Sequence, residues 1–225
     1  METTVIFYSS NKEHPDFEQG IIENLKKSCG NLPIISVTQK PTDLGKNIVV
    51  GDVGVSGYNM FRQVLIACKE ANTKFVISAE ADCVYPPDYF TFIPPREDIC
   101  YRNSNLYVMG QYRDYFYKKP GGATHAQIVG RKFYIETLEK LFGDSPMWST
   151  EEFNFPKERS QGKQDDVFWR DKIEYYESDN PVVQIKTNHS MRHYTASERI
   201  PIKEIPYWGN GKDFREKFYE IGLKH

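Results

Sequence analysis

The sequence predicts an α/β fold in which a mainly parallel sheet is flanked by helices within a single domain, 1–225. Strand and helix patterns alternate from residue 4 to residue 79, the order typical of a parallel sheet covered by its crossover helices. The chain has 225 residues, which is enough to bury a core without disulfide bonds. Hydrophobic residues make up 39% of it, and this excludes an intrinsically disordered protein.

The first half of the chain contains the clearest elements. Short apolar runs that end in polar or proline-containing stretches predict four strands, at 4–9, 32–37, 47–51 and 74–79. Apolar side chains at helical spacing predict two helices, one around residues 17–25 and one at 58–71. The alternation of these elements is what indicates the parallel sheet.

The second half is less regular. Its patterns predict strand and turn at 99–109, a strand that becomes a helix over 127–141, helices at 166–175 and 213–221, and a strand at 182–186. Two polar loops, at 118–122 and 144–162, are the segments most typical of function, because binding residues are concentrated on loops that a rigid scaffold positions.

Charge and targeting signals exclude several classes of protein. The chain has 29 Lys and Arg against 31 Asp and Glu, and the net charge of -2 excludes a globally basic nucleic-acid binder while a local basic patch stays open. The sequence contains no run of about 18 apolar residues, so it predicts no membrane span. The first residues lack the basic segment and the cleavage site of a signal peptide. The cysteines have no C-x-x-C spacing, which favours a reducing compartment. We therefore predict a cytoplasmic location, in the host cytoplasm if the protein is viral.

Two carboxylates, Glu80 and Asp82, follow the apolar strand at 74–79. Residues two apart on a strand point to the same side, roughly 6–7 Å apart, and open α/β sheets bind ligands at the carboxyl edge of their strands. Like charges held together favour a hard divalent cation between them, and such a cation also binds phosphates. The alternative is a turn with two solvated acids. The apolar strand before the pair and Pro86-Pro87 after it favour the cation site.

Several motifs, in their order along the chain, resemble those of nucleotide-sugar glycosyltransferases of the GT-A fold, a Rossmann-related α/β fold. The strand, the run Glu80-Ala81-Asp82 and the proline-stopped loop resemble the metal-binding motif of that family. The other similar segments are 54–59, 127–131, 164–167 and 192–195. The resemblance is to family 2-like enzymes of the compact soluble type found in phage and bacterial clusters, and it covers about residues 4–208.

The sequence departs from the family pattern at two positions. Glu80 stands where the first acid of the motif is usually Asp. The acid that usually ends the second strand and contacts the nucleobase is absent, and Thr38, Gln39 or Lys40 stands in its place. The second departure leaves the identity of the nucleotide open.

The resemblance implies a hexosyl- or pentosyltransferase that moves a sugar from a nucleoside diphosphate, expected to be UDP, to an acceptor hydroxyl. It implies a required Mn²⁺ or Mg²⁺ held by Asp82 and His193, with Glu80 and His189 as the second choices. One imidazole beside a carboxylate suits manganese. The resemblance does not say whether the enzyme inverts or retains the configuration of the sugar.

The resemblance also implies which residues contact the substrates. Residues 1–95 form the expected nucleotide-binding half, and residues 96–225 form the expected acceptor-binding half and lid. Nucleotide-sugar contacts are expected at Ser9, Ser10, Asn11, Gln39, Tyr58, Arg62, Glu80 and Ala81. Acceptor contacts are expected at His125, Gln127 and Arg131. The simpler alternatives are a local turn at residues 9–11 and a solvated charge at Arg62.

Two adjacent acids, Asp165 and Asp166, resemble the acidic pair that supplies the family's catalytic base. The resemblance implies that Asp166 takes the proton from the acceptor hydroxyl and that Asp165 orients substrate or loop. The alternative is that one of them caps the helix predicted at 166–175, since Asp is favoured before a helix.

Rings and cations alternate in the run at 112–119, a composition typical of a surface that stacks sugars or unstacked bases. Together with Lys157, Arg159 and Lys163 it makes a modified DNA base a candidate acceptor, although an aromatic hairpin packed on the core explains the run equally well. Two other functions stay open: a nucleotidyltransferase, which the absence of glycine at 9–13 disfavours, and a noncatalytic module that binds sugar or nucleic acid. The sequence does not predict the oligomeric state.

Overall fold

The computed structural model describes residues 2–151, 164–165, 167–191 and 200–219. This part of the chain contains four α-helices, α1 (Pro15–Ser28), α2 (Gly57–Glu70), α3 (Arg131–Phe142) and α4 (Gly211–Phe218). Its strands, in chain order, are β1 (Thr3–Ser9), β2 (Ile34–Thr38), β3 (Lys46–Val49), β4 (Phe75–Glu80), β5 (Cys83–Val84), β6 (Cys100–Asn103), β7 (Leu106–Gly110), β8 (Tyr117–Lys118), β9 (Gln127–Gly130), β10 (Gln164–Asp165), β11 (Phe168–Trp169), β12 (Ile173–Tyr176), β13 (Val182–Lys186), β14 (Glu204–Ile205) and β15 (Gly209–Asn210).

The central sheet has the strand order β12-β6-β9-β4-β1-β2-β3 in the described part of the chain. The strands from β4 to β3 are parallel to one another, and β9 runs antiparallel to both of its neighbours. A second sheet has the order β5-β13-β7-β8. The carboxyl ends of β1 and β4 lie side by side, because Tyr8 is paired with Glu80 in the sheet register. This confirms the predicted fold class, a mainly parallel sheet flanked by helices.

Helices α1 and α2 begin where the sequence supplies caps. The side chain of His14 accepts a hydrogen bond from the Asp16 amide, and Pro15 opens α1 at the position where its missing N–H costs nothing. Ser56 caps α2 by accepting a hydrogen bond from the Asn59 amide at 3.0 Å. Both helices start close to the predicted positions because these signals are local in the sequence.

Strand β1 is buried on both faces of the sheet. Ile6 and Tyr8 pack in a core cluster with α2 and α3, whereas Val5 and Phe7 pack in a second cluster that includes Ile22 of α1. Successive side chains of a strand point to opposite faces, so each helix layer contacts every second residue. Full burial of an aliphatic or aromatic side chain stabilises the fold by roughly 1.5–3 kcal/mol, and the base of the sheet is therefore a rigid platform.

The helix predicted at 166–175 is wrong. The described residues there form β11, a short 3-10 turn at Arg170–Lys172, and β12, which pairs in parallel with β6. The run Ile173–Tyr176 is rich in β-branched and aromatic side chains, which favour a strand when a partner edge is available. Because no α-helix occurs among residues 167–176, the helix-capping alternative for Asp165 and Asp166 is also wrong.

Within the described ranges, every helix is too short or too polar to cross a lipid bilayer. The cytoplasmic location stays a prediction.

Candidate active site at the carboxyl edge of the central sheet

A cleft opens where the parallel strands β1 and β4 end. It is lined by residues from the two strand ends, the segments that follow them, the start of α2 and the segment after β13. The lining residues are Tyr8, Ser9, Ser10, Glu13, Gly54, Val55, Ser56, Asn59, Met60, Gln63, Glu80, Ala81, Asp82, His189, Ser190 and Met191. Six residues that the sequence predicts to bind the nucleotide sugar or the metal therefore line one cleft. They are Ser9, Ser10, Glu80, Ala81, Asp82 and His189.

Glu80 is held by the neighbouring strand. The hydroxyl of Tyr8 donates a hydrogen bond of 2.9 Å to Glu80 Oε1, across the register pair that joins β1 to β4. Burial, and next the charge of Glu80, raises the pKa of Tyr8 well above its ordinary value. Tyr8 is therefore a donor at every ordinary pH, and it fixes the direction of the Glu80 carboxylate.

Asp82 is 9% exposed and lies between the two sheets. Its Oδ2 accepts a hydrogen bond of 3.0 Å from the amide of Gln184, and its Oδ1 accepts one of 3.2 Å from the thiol of Cys83. Its backbone carbonyl accepts from the Ile185 amide. Strand β5 pairs with β13 next to it, so this carboxylate has a fixed orientation at the floor of the cleft.

Glu13 was missed by the sequence reasoning, because no motif or spacing marks it. Its Oε1 accepts a hydrogen bond of 2.7 Å from the hydroxyl of Thr187, which in turn accepts one from the His189 amide. Burial raises the pKa of Glu13 to about 7, and the negative charges of Asp82 and Glu18 add to the shift. Glu13 thus couples the segment after β1 to the segment that carries His189.

Gln63 was also missed. It lies on α2, is 3% exposed, and its Nε2 donates to the Ser9 carbonyl at 2.9 Å and to the Val37 carbonyl at 2.8 Å. One amide therefore holds the ends of β1 and β2 at a fixed separation. A polar residue between Phe61 and Val64, on the core face of the helix, is the sequence signal that could have found it.

The predicted nucleotide residues Asn11 and Gln39 are absent from the cleft lining and have structural hydrogen-bond partners. Asn11 donates to Glu18 at 2.9 Å and accepts from the Lys40 amide at 2.8 Å. Gln39 donates to the Gly54 carbonyl at 2.8 Å. The Asn11 amide also donates to Ser9 Oγ, which is the local turn given as the alternative at 9–11.

Tyr58 and Arg62 hold a loop rather than lining the cleft. Arg62 is 9% exposed, lies 3.8 Å from the ring centre of Phe142, and donates to the carbonyls of Ser145 and Pro146. The hydroxyl of Tyr58 also donates to the Pro146 carbonyl. Because the guanidinium is buried against α3 and bonded to these carbonyls, the structure does not support the predicted phosphate contact of Arg62 or its solvated alternative.

Two of the predicted acceptor residues, Gln127 and Arg131, hold neighbouring segments of the fold together. Gln127 is 1% exposed, accepts from the Cys100 thiol and donates to the Tyr134 hydroxyl. Arg131 is partly exposed and donates to the carbonyl of Thr73, which lies between α2 and β4, at 2.9 Å. Gln127 lies too deep for a substrate to contact its side chain. The acceptor contact of Arg131, which keeps part of its surface exposed, stays a prediction.

His125 is 5% exposed, and its backbone carbonyl accepts a hydrogen bond of 2.8 Å from the Tyr85 hydroxyl. Burial, and next the positive charge of Lys119, lowers the pKa of His125 well below its ordinary value. The buried imidazole is therefore neutral and does not lie on an acceptor surface. A ring nitrogen of His125 lies within 4.8 Å of the Glu80 carboxylate and of the Cys83 sulfur.

Several predicted residues lie outside the described part of the chain. They are Asp166, His193, Lys157, Arg159 and Lys163. Asp165 is described as the end of β10, where it pairs with Phe168. The aromatic run is described: Phe116 and Tyr117 are buried, whereas Tyr112 is 70% exposed. This supports the packed hairpin more than the stacking surface.

No known family profile matches the chain, and no curated protein matches it. Solved structures do match. The apo form of the glycosyltransferase GlyE of Streptococcus pneumoniae TIGR4 has a TM-score of 0.55 and 10% identity over 100% of this chain and 61% of that chain. Residues 1–349 of TarS from S. aureus have a TM-score of 0.51 and 12% identity over 82% of this chain and 60% of that chain.

The chain has the GT-A fold. At identities of 10% and 12% the likeness shows the fold and leaves the activity to be argued from the site. The chain spans about three fifths of each matched protein, 61% and 60%. In this GT-A fold the cleft lies at the carboxyl ends of parallel strands, where ligands of open α/β sheets bind.

The raised pKa of Glu13 predicts a pH-dependent stability. A carboxyl whose folded pKa is about 7, against an ordinary value of 4.5, costs stability as the pH rises between these values, because the folded state resists its ionisation. We expect Glu13→Gln to raise the melting temperature above that of the wild type at about pH 8. The gain should vanish at about pH 3, below both pKa values, where the carboxyl is protonated in both states.

Thermal unfolding of chelator-treated protein at the two pH values measures this effect. Glu23→Gln is the matched control, since Glu23 is an exposed α1 carboxylate that accepts a hydrogen bond from Gln19. A gain of equal size at both pH values would contradict the burial of an ionised Glu13.

Proposed function

We propose that the chain is a metal-dependent glycosyltransferase that moves a sugar from a nucleoside diphosphate to an acceptor hydroxyl. The observation that carries this proposal is the pair Glu80 and Asp82 at the carboxyl edge of the sheet, in one cleft with Ser9 and Ser10. The likeness of the fold to GlyE and TarS supports the reaction class. A uridine nucleotide is the expected donor.

The donor set of the cleft fits a divalent cation. Asp82 supplies an oriented carboxylate, Glu80 a second one, and the imidazole-bearing residue His189 lines the same cleft. Oxygen ligands with one imidazole suit Mn²⁺ or Mg²⁺. When bound, the cation supplies positive charge to the diphosphate leaving group. His193 stays the proposed imidazole ligand from the resemblance, with His189 as the second choice.

Different residues bind the nucleoside, orient Glu80 and remove the acceptor proton. The hydroxyls of Ser9 and Ser10 lie where a nucleoside can accept or donate hydrogen bonds, while Gln63 fixes the strand ends that carry them. Tyr8 orients Glu80 through its hydroxyl. We assign to Asp166 the removal of the proton from the acceptor oxygen as that oxygen bonds to the anomeric carbon and the sugar–phosphate bond breaks.

The acceptor is a hydroxyl compound whose class the described residues do not define. A modified DNA base is one candidate, which rests on the run at 112–119 and on Lys157, Arg159 and Lys163, and those three basic residues lie outside the described part of the chain. Phe116 and Tyr117 of that run are buried, and Phe116 packs against Phe214 with ring centres 5.3 Å apart. Because these two rings pack in the core, they are not available to stack on a DNA base.

A thermal-shift panel of nucleoside diphosphates and nucleotide sugars, each with Mn²⁺ and with a chelator, tests the proposal. A ligand at about a hundred times its dissociation constant stabilises the folded state by roughly 2.7 kcal/mol. We expect a nucleoside diphosphate to raise the melting temperature with Mn²⁺ and to lose this effect in chelator. Equal shifts with and without metal would indicate a metal-independent binding module instead.

A further inference from the structure

A second group of metal-ligating side chains lies beneath the cleft. The Glu80 carboxylate, the Cys83 thiol and a ring nitrogen of His125 all lie within 4.8 Å of one another. The three come from the end of β4, from β5 and from the segment before β9. Cys83 is fully buried and His125 is 5% exposed.

The imidazole of His125 is missing a hydrogen bond. Its Nε2 is buried and has no hydrogen-bond partner in the described part of the chain. Leaving a buried polar atom unsatisfied costs about 1–3 kcal/mol, and native structures seldom keep such an atom without a ligand, an ion or a water. The unsatisfied atom belongs to the one residue of the cluster that contributes an imidazole, and this points to a ligand at the cluster.

The surrounding structure holds the three side chains in place. The hydroxyl of Tyr85 accepts from the Glu80 amide at 3.0 Å and donates to the His125 carbonyl at 2.8 Å, so it joins two of the three segments. Cys83 is fixed by its pairing with Gln184 of β13. Bond lengths of about 2.0–2.3 Å to zinc place neighbouring ligand atoms about 3.3–3.8 Å apart. Because the three ligand atoms lie within 4.8 Å of one another, a contraction of at most about 1.5 Å would close the site around an ion.

We propose that Glu80, Cys83 and His125 form a binding site for Zn²⁺. Thiolate and imidazole ligands select zinc over the hard cations Mg²⁺ and Mn²⁺, and three protein ligands with a water in the fourth position are a usual zinc coordination. On binding, the Cys83 thiol loses its proton to solvent, the sulfur–zinc bond forms, and the hydrogen bond from Cys83 to Asp82 is lost.

This zinc site differs from the cation site of the proposed transferase in its other ligands, because that site uses the carboxylate of Asp82 together with Glu80. The two sites share Glu80, which lines the cleft. Zinc at the buried site therefore holds the Glu80 carboxylate away from a substrate. The proposal itself concerns metal binding and does not depend on the transferase activity.

Cobalt spectroscopy tests the site without any nucleotide or acceptor. We expect chelator-treated protein to bind one Co²⁺ with a thiolate-to-cobalt absorption band in the near ultraviolet, and Zn²⁺ to displace it. Cys83→Ser should abolish the band, and His125→Ala should weaken cobalt binding at least tenfold. Cys29→Ser is the matched control and should keep the band, because the Cys29 thiol donates to the Lys26 carbonyl at the far end of α1.

A band that persists in Cys83→Ser, or its absence from cobalt-saturated wild type, overturns the proposal. Dependence on His189 in place of His125 also overturns it, since the metal would then lie in the open cleft. If Cys83→Ser does not fold, X-ray absorption at the zinc edge of the zinc-loaded wild type identifies the ligand atoms instead. We expect one sulfur at about 2.3 Å, and a shell of oxygen and nitrogen alone would refute the site.

Discussion

Asp82→Asn is expected to abolish sugar transfer and to remove the Mn²⁺-dependent part of nucleotide binding. The substitution keeps the size of the side chain and deletes the charge that a hard cation requires. The Gln184 amide donates to one carboxylate oxygen and the Cys83 thiol to the other, so an asparagine can keep its oxygen on Gln184 and turn its amide toward the sulfur. We therefore expect a folded protein that lacks the metal site.

Turnover with a nucleotide sugar, and manganese titrations followed by thermal shift, measure these two effects. Asp88→Asn is the matched control, because the Asp88 carboxylate accepts hydrogen bonds from Asn180 and lies outside the cleft lining. Glu80→Gln should weaken both properties less than Asp82→Asn does. Normal turnover of Asp82→Asn in chelator-treated buffer would end the metal-dependent reading of the cleft.

Asp166→Asn is expected to lower turnover by a factor on the order of 100 to 10,000, the usual effect of losing a general base. Donor binding should stay nearly unchanged, because the residue acts on the acceptor. The melting temperature should also change little, since the described residues after it form β11 and β12 and include no α-helix for an aspartate to cap. Phe168 instead packs against Phe133, with ring centres 5.3 Å apart.

Single-turnover rates and donor titrations separate these quantities. Asp165→Asn is the neighbouring control and should cost less activity, because the resemblance assigns it an orienting role. If Asp166→Asn reduces stability while each folded molecule keeps its turnover, the residue is structural and the base must be sought elsewhere.

The parts of the fold that the sequence predicts are those with local signals. Strands β1 and β4 and helix α2 have clear apolar periods and end at polar or capping residues, so their positions were predicted within a few residues. The run at Ile173–Tyr176 was read as helix because its partner, β6, is more than 70 positions earlier in the chain. Pairing between distant segments decides such cases, and a single sequence does not show it.

The same distinction applies to the cleft. Ser9, Glu80 and Asp82 could be placed there because each ends or follows a predicted strand, and parallel strands bring their ends together. Glu13 is held at the cleft by a hydrogen bond from Thr187, which lies 174 positions away in the chain, and a single sequence does not reveal such a contact. Residues such as Arg62 were misplaced because a charge on a helix near the sheet edge does not reveal whether it faces a ligand or a loop carbonyl.

The hydrogen bonds of Gln63 have a practical consequence for protein engineering. One amide holds the Ser9 and Val37 carbonyls, so a library that varies Gln63 changes the spacing of two strands as well as the cleft that Gln63 lines. The apolar cleft residues Val55, Met60 and Met191 line the cleft from segments outside the parallel strands. The ligand preference of the cleft is therefore best redesigned at these three positions, with Gln63 kept because it fixes the strand ends.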